Sequence, residues 1–149
     1  MTRSQVRSVF NCWRCVVVPP GPYSLVPNST PLYVIREFKR KGRGLVATEG
    51  IAQGTSIVTC PVVVYDDADA GRISKTRLGD YNFRFGERQN RACIILGVIS
   101  ICNHADEPNA EIVCDEEALT VTLVATQAIG AGEEICIRYR RPLWFTPAA

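Results

Sequence analysis

The sequence is short of histidine, of methionine and of net charge. One histidine, His104, and one methionine occur in 149 residues, and 17 basic residues nearly balance 15 acidic ones. A net charge of +2 is too small for the basic field of a protein that holds nucleic acid through its phosphates. We therefore expect no direct nucleic-acid partner, and a lone histidine must rely on other residue types in any chemistry that it serves.

Long apolar runs are also missing. No apolar stretch approaches the roughly 18 residues that a membrane helix needs, and "CVVVPP" is too short and too broken by proline for a signal peptide. We expect a soluble intracellular protein of the cytoplasm or nucleus, without a membrane partner. The 7 cysteines are odd in number and lie mostly inside apolar runs, as at Cys93, Cys102 and Cys136, which indicates reduced thiols.

The first thirty residues lack acidic side chains, since none occurs before Glu37, and "PPGPYSLVPNSTP" is rich in breakers. We predict an extension or linker over residues 1–30 and one domain over 31–149. Cys12 and Cys15 form a C-x-x-C, but a structural zinc needs four ligands and no second pair follows at suitable spacing, so we predict no metal. An organelle transit peptide is an alternative for this basic start.

The rest of the chain carries the pattern of strands. Short runs rich in Val, Ile, Thr and Tyr are separated by Gly, Asn, Asp or Pro: "PLYVI", "GLVA", "TSIVTCPVVVY", "RACIILGV", "AEIVC", "ALTVTLVA" and "EEICIRY". Only "DAGRISKTRLGDYNF" (69–83) suggests short helical turns. We predict a mostly β domain and no doubly wound sheet.

A glycine pair around Arg43 could bring the backbone close to a ligand. Gly42 and Gly44 form a G-x-G, but a strand rather than a helix follows it, which excludes the dinucleotide-binding interpretation. Backbone N–H groups in such a loop can receive a carboxylate or a phosphate. An ordinary hairpin turn would give the same pattern.

Three segments, in this order, resemble the SET-domain family of protein lysine methyltransferases. "GRGLVATEGIAQGTSI" (42–57) is similar to its opening motif, and "SICNHADEPNA" (100–110) to its central asparagine–histidine motif. "LVATQAIGAGEEICIRY" (123–139) is similar to its closing strand, turn and catalytic tyrosine. The resemblance covers about residues 31–145 and is closest to the minimal, stand-alone members of viral or bacterial type.

The resemblance implies small twisted β-sheets with a knot-like threading of the C-terminal segment. It also implies S-adenosylmethionine as methyl donor and a lysine that enters through a channel from the opposite face. The methyl group is already activated, so the protein has to align a neutral amine rather than build a strong nucleophile. The implied substrate is a basic protein tail such as a histone tail, which the acidic stretches "YDDAD" and "CDEEA" could attract, and a homodimer is left open.

Two tyrosines carry the implied catalysis. By resemblance Tyr139 is the catalytic tyrosine, whose hydroxyl orients the amine within a ring of oxygen acceptors. Tyr81 corresponds to an aromatic residue of the lysine channel. Ile137 holds the position that in other members influences how many methyl groups are added. From composition alone, Tyr139 would be a half-buried strand residue and Tyr81 a core residue.

The implied cofactor contacts come from the glycine loop, the central motif and the C-terminus. They are Gly42, Arg43, Gly44, Asn103, His104 and Trp144. His104 is implied to be a binder rather than a general base, and its alternative role is to hold the turn through local hydrogen bonds. Trp144 would cover the adenine or, alternatively, seal the core.

Several residues depart from the family pattern or serve structure alone. Ala105 stands where serine is usual, and Arg138 and Arg140 flank Tyr139 where an acidic residue and a glycine are common. These departures leave open a catalytically inactive SET-like module that binds peptides. Pro108 and Asn109 are expected to fix the turn before "AEIVC". The target lysine and the degree of methylation stay open.

Overall fold

The computed structural model of the protein describes residues 30–86 and 91–139. Apart from Thr30, the described residues belong to a compact unit that begins at Pro31. Cys12, Cys15, Arg140 and Trp144 lie outside the described residues, so the expectations for them stay predictions, as does the division at residue 30.

Strands dominate the described residues. The strands are β1 (Tyr33–Phe38), β2 (Gly42–Ala47), β3 (Ser56–Tyr65), β4 (Asn82–Phe85), β5 (Arg91–Ile95), β6 (Asn103–His104), β7 (Ala110–Asp115), β8 (Thr120–Ala125) and β9 (Glu134–Ile137). One α-helix, α1 (Asp67–Ile73), and two 3-10 turns, Arg77–Tyr81 and Val98–Ile101, complete the described elements. The mostly β class predicted from the sequence is confirmed.

The larger sheet has five strands in the order β4-β5-β3-β8-β7. All its pairs are antiparallel, and β3 is its central strand, with Val62 opposite Ile95 and Cys60 opposite Val121. From Thr59 to Val63 of β3 the exposed positions alternate with buried ones, as expected for a strand with one face on the core, and a bulge between Ser56 and Val58 shifts the pattern before them. The β-branched residues that predicted this strand therefore form one wall of the core.

The smaller sheet has four strands in the order β1-β2-β9-β6. The last strand, β9, lies inside this sheet, antiparallel to β2 and parallel to β6. In the parallel pair, Asn103 is opposite Cys136 and His104 is opposite Ile137. The central and closing motifs therefore lie side by side, as the resemblance implies.

The two sheets share one apolar core. Leu45 and Ile135 enter it from the smaller sheet, Phe85 and Leu123 from the larger sheet, and Ile99 from the second 3-10 turn, all with 0% exposure. Complete burial of such side chains contributes about 2 kcal/mol each. This core fixes the position of the smaller sheet, which carries the polar motifs.

The predicted helical turns are present, although they begin earlier than the sequence suggested. Helix α1 begins at Asp67 because the Asp66 carboxylate accepts a hydrogen bond from the backbone N–H of Asp69 at 2.9 Å. The Thr76 hydroxyl accepts from the backbone N–H of Leu78 at 3.2 Å and begins the first 3-10 turn. That turn ends at Tyr81, which places this tyrosine directly before β4.

One strand is shorter than predicted. The run "RACIILGV" was expected to be a strand throughout, but β5 ends at Ile95 and Val98 begins a 3-10 turn. Leu96 is 55% exposed, and a side chain on Gly97 would collide with the thiol of Cys60. The backbone therefore passes closely over Cys60 and leaves the sheet at this point.

None of the helices in the described residues is long and apolar enough to cross a membrane.

Candidate active site

The site is built where β9 meets β6, and a buried asparagine completes the hydrogen bonds of β9. The Asn109 side chain, 5% exposed, accepts a hydrogen bond from the backbone N–H of Cys136 at 2.9 Å. Its amide nitrogen donates to the Glu134 carbonyl at 2.9 Å and to the Glu133 carboxylate at 3.0 Å. Asn109 thus makes hydrogen bonds to β9 that a longer neighbouring strand would otherwise make, because β6 is too short to pair with all of β9.

His104 fixes the backbone of Tyr139. The backbone N–H of Tyr139 donates to Nδ1 of His104 at 3.0 Å, and Nε2 lies 3.3 Å from the Asp106 carboxylate. Since Nδ1 accepts a hydrogen bond, the neutral ring carries its proton on Nε2. The ring therefore makes the local hydrogen bonds of the turn-holding alternative, and contact of His104 with the cofactor stays a prediction.

The hydroxyl of Tyr139 lies beside a backbone carbonyl oxygen. It donates a hydrogen bond of 2.7 Å to the carbonyl of Cys102, the residue before β6. Burial, followed by the neighbouring thiols of Cys102 and Cys136, raises the pKa of Tyr139 to about 12. The hydroxyl is therefore protonated at neutral pH, and two oxygen atoms from the central and closing motifs are held together.

Tyr81 approaches the same point from the first 3-10 turn. Its phenol is close enough to Tyr139 to contribute to the raised pKa of Tyr139, and Tyr81 is 38% exposed. Tyr139 is therefore half-buried and Tyr81 exposed, and Tyr139 lies at the junction where β6 (Asn103–His104) meets β9 (Glu134–Ile137). Ile137, two residues before Tyr139, is 3% exposed and packs in the core.

The glycine pair lies in the hairpin between β1 and β2. Gly42 has a φ of +75°, and nothing lies within 4 Å of the place where its side chain would be. A Cβ atom on Gly44 would lie 2.5 Å from the Asn103 amide nitrogen, so any other residue there would displace the Asn103 side chain. Arg43 is exposed and lies opposite Glu37 in β1. The hairpin alternative is therefore present, and the glycines also bring β2 against the central motif.

A carboxylate that the sequence reasoning missed lies beneath Gly44. Oε1 of Glu134 accepts a hydrogen bond from the Asn103 amide at 2.7 Å, and Oε2 lies 3.3 Å from the Lys41 ammonium group. Glu134 was part of the closing motif, and a charged residue next to the buried run "ICI" requires a partner. The position of Glu134 beside a buried run could therefore have identified it as a residue with a partner. Its partner Lys41 could not have been identified, because residues 39–41 are all basic and nothing in the sequence distinguishes one of them.

Two departures from the family pattern are accommodated in the same junction. The backbone N–H of Ala105 donates to the Ile137 carbonyl at 3.1 Å and extends the parallel pairing. The guanidinium of Arg138 donates to the Asp106 carbonyl. Both residues therefore join the closing strand to the central motif.

The buried thiols at the site are not nucleophiles. Burial raises the pKa of Cys102 to about 12 and that of Cys136 to about 11. Only the thiolate attacks, so neither thiol reacts readily at neutral pH. Cys60, Cys93, Cys102, Cys114 and Cys136 are all free, in agreement with the reduced thiols that the sequence predicts.

A separate concavity lies between α1 and the edge of the larger sheet. Its lining residues are Asp67, Ala70, Asn82, Phe83, Arg84 and Ala92. None of them comes from β2, β6 or β9, so this concavity does not include the converging hydroxyl and carbonyl groups. The polar junction is the better candidate for catalysis.

Comparisons with known proteins agree with this geometry. The SET domain family model matches residues 42–140, which include the glycine pair, the central motif and Tyr139. A Schizosaccharomyces pombe protein named histone-lysine N-methyltransferase, H3 lysine-37 specific, is 31% identical over 116 residues, or 77% of this chain and 78% of the relative.

Two solved structures have the same fold. A Plasmodium falciparum protein assigned as a histone methyltransferase superposes with a TM-score of 0.59 and 26% identity, over 78% of this chain and all of that chain. CpSET8 from Cryptosporidium gives a TM-score of 0.57 and 18% identity, over 73% of this chain and 57% of its own. The second likeness concerns the fold alone.

Proposed function

This chain belongs to the SET-domain family of protein-lysine methyltransferases, and on that basis we propose that it methylates a basic protein tail, such as a histone tail, from S-adenosylmethionine. The observation that carries the proposal is the 2.7 Å pair formed by the Tyr139 hydroxyl and the Cys102 carbonyl. This pair joins the central and closing motifs at the point that Tyr81 also approaches.

The pair of oxygen atoms is suited to aligning an amine. A lysine amine must lose a proton to become nucleophilic, and its remaining N–H groups then need acceptors that direct its lone pair. The carbonyl oxygen of Cys102 and the phenolic oxygen of Tyr139 are two such acceptors. Because the pKa of Tyr139 is raised to about 12, the phenol keeps its proton and acts by orientation rather than as a base.

The residues around the junction fit the proposed cofactor. S-adenosylmethionine supplies a methyl group that its sulfonium sulfur has already activated. Gly42 leaves open space beside the backbone, and Gly44 allows β2 to reach the Asn103 amide. We propose that Gly42, Arg43, Gly44, Asn103 and His104 bind it, with Trp144, which lies outside the described residues, over the adenine. Asn103 would bind through its side-chain amide.

The segment that leads to Tyr81 carries four exposed acidic side chains and three exposed basic ones, Arg72, Lys75 and Arg77, so its net charge is only slightly negative. Asp67 and Asp80 are exposed, and the exposed Asp66 and Asp69 respectively cap α1 and pair with Arg72. The second acidic stretch, "CDEEA", is less able to bind a basic substrate, because the Asp115 carboxylate accepts backbone hydrogen bonds in the turn between β7 and β8. The name of the Schizosaccharomyces relative supports a histone as the first substrate to test.

A peptide-binding module without catalysis was the alternative. It depended on Ala105 and on the arginines that flank Tyr139. In the structure, the Arg138 side chain donates to the Asp106 carbonyl, and the backbone N–H of Ala105 makes a hydrogen bond that a serine there would make equally. No observation on the described residues favours the alternative, and we retain the enzyme.

The test combines binding and product analysis. The purified chain is titrated calorimetrically with S-adenosylmethionine and with S-adenosylhomocysteine, then incubated with core histones and methyl-labelled cofactor. We expect saturable binding of both ligands and label on lysine, identified by mass spectrometry. Binding without label on any basic protein would favour the peptide-binding alternative, and absence of binding would contradict the proposal.

A further inference from the structure

Glu134 joins three segments that are far apart in the sequence. Its carboxylate lies between the Asn103 amide, at 2.7 Å, and the Lys41 ammonium group, at 3.3 Å. The Glu134 side chain is only 16% exposed and that of Lys41 26%. A hydrogen bond to a partly buried carboxylate is stronger than one between neutral groups, so this contact holds Asn103 firmly.

Gly44 provides the space for this contact. A Cβ atom at residue 44 would lie 2.5 Å from the amide nitrogen of Asn103 and 3.0 Å from Oε1 of Glu134. The amide and the carboxylate therefore fit under β2 only because residue 44 has no side chain. The glycine pair, the central motif and the closing strand meet at this one hydrogen bond.

The carboxylate determines which end of the Asn103 amide faces it. An ionised carboxylate only accepts hydrogen bonds, so the NH₂ group of Asn103 must face Glu134. The carbonyl oxygen is at the opposite end of the amide and points away from the carboxylate. Lys41 compensates the charge of Glu134 and holds its second oxygen atom.

We propose that Glu134 is a positioning residue, which orients the Asn103 amide so that its oxygen accepts a hydrogen bond from a donor group of the cofactor. The inference rests on the proposed function, because it assumes that Asn103 contacts the cofactor. Glu134 acts through Asn103, so its removal matters only while Asn103 is present. That dependence separates positioning from a general role in stability.

The test is a double-mutant cycle on the binding of S-adenosylhomocysteine, measured by calorimetry. Glu134→Ala weakens binding about tenfold in the wild-type chain, the effect of losing one charged hydrogen bond. In the Asn103→Ala chain the same substitution changes binding by less than about twofold. Glu134→Gln keeps an acceptor of the same shape and restores part of the affinity.

Glu133 supplies the matched control. It is the preceding carboxylate, exposed, and it accepts hydrogen bonds from Asn109 and from the backbone of Gly130. Glu133→Ala leaves the affinity within about twofold, since it does not contact Asn103 and Asn109 keeps its hydrogen bonds to the backbone of β9. A loss of affinity equal to that of Glu134→Ala would overturn the inference.

A second readout needs no ligand. In the free protein, the side-chain amide of Asn103 gives an NMR signal, identified by its loss in Asn103→Ala. We expect this signal to shift in Glu134→Ala, and in Glu134→Gln if the alanine variant does not fold, but not in Glu133→Ala. An unchanged signal and affinity after Glu134 substitution would overturn the inference alone, whereas a wild-type chain that binds no S-adenosylhomocysteine would overturn the proposed function as well.

Discussion

The two sheets differ in how they are held together. The five-stranded sheet is antiparallel throughout, and its strands pair over four to six positions each. In the four-stranded sheet, β9 pairs with β2 over two positions and with β6 over two. Side chains supply the missing hydrogen bonds there, since Asn109 and His104 accept from the backbone of Cys136 and Tyr139.

This difference explains where the chemistry lies. In the five-stranded antiparallel sheet, the three inner strands use their backbone groups on neighbouring strands, and only the edge strands β4 and β7 have backbone groups that the sheet does not pair. The short parallel pair of β6 and β9 instead brings polar side chains and the Cys102 carbonyl to one point. The larger sheet therefore supports the fold, and the smaller sheet carries the candidate site.

Among substitutions that distinguish the smaller sheet from the larger one, we expect Tyr139→Phe to have the largest effect, a loss of turnover. Loss of the hydroxyl removes one of the two groups that align the amine, so kcat should fall about 10²- to 10³-fold. Binding of S-adenosylmethionine should remain nearly unchanged. Steady-state kinetics and calorimetry measure the two quantities.

Tyr33→Phe is the matched control for that loss. Tyr33 lies in β1 of the same sheet, away from the junction. We expect kcat to stay within about twofold of the wild type, since no hydrogen bond near the amine is lost. Equal turnover in Tyr139→Phe and Tyr33→Phe would contradict the role of Tyr139.

Stability variants in the two sheets should differ in their effect on binding. Leu123→Ala opens a cavity in the core and should lower the free energy of unfolding by about 3 kcal/mol. Asn109→Ala leaves buried backbone groups of β9 without partners and should cost about 2 kcal/mol. Only Asn109→Ala should also weaken S-adenosylhomocysteine binding, as measured by urea denaturation and calorimetry. The same loss of affinity in both variants would show that the sheets are not separate in function.

Alkaline pH should weaken the junction most, because among the described residues it holds three groups with a raised pKa and the larger sheet holds one, Cys93. The pKa values of Cys102 and Tyr139 are raised to about 12 and that of Cys136 to about 11, chiefly by burial. Between the ordinary pKa values and these, only the unfolded chain ionises, so stability is complete below about pH 9 and falls towards pH 12. At about pH 10 we expect a loss of about 3 kcal/mol relative to pH 8, most of it from the two thiols.

Amide hydrogen exchange locates that loss. After correction for the intrinsic rate, amides of β9 should lose protection at a lower pH than those of β8. Simultaneous loss in both strands, or stability that rises with pH over this range, would contradict the assignment of the buried protonated groups.

The smallest effect is expected on the exposed face of the larger sheet. The hydroxyls of Thr59 and Thr122 lie 2.8 Å apart across β3 and β8. Thr59→Val keeps the shape of the side chain and removes this contact, so the free energy of unfolding should change by less than about 1 kcal/mol. Activity should be unaffected. A change above about 2 kcal/mol would mean that cross-strand side chains hold this sheet as they hold the smaller one.

Most of the larger sheet could be predicted from the sequence, and the smaller one only in part. The β-branched runs identified β3, β7 and β8, because each strand has enough alternating residues to show its pattern. No pattern identifies β6, which has two residues, since its pairing depends on a strand some thirty residues later. The 3-10 turn at Val98 was missed because its apolar residues resemble a strand.

The candidate site could likewise be predicted from the sequence only in part. Tyr139 and Asn103 followed from a resemblance of ordered motifs, and the structure brings their segments together through β9 and β6. The contacts of Glu134 with Asn103 and Lys41 join residues up to 93 positions apart, and no local pattern reveals such pairs. The hydrogen bond that the Tyr139 backbone N–H donates to His104 likewise depends on the parallel register.

The most direct test of the account is a crystal structure of the chain with S-adenosylhomocysteine and a lysine peptide. We expect the cofactor sulfur and the lysine amine to meet beside the Tyr139 hydroxyl and the Cys102 carbonyl. We also expect the Asn103 amide to contact the cofactor while its nitrogen still faces Glu134. Cofactor density in the concavity between α1 and β4, with the junction of β6 and β9 untouched, would contradict it.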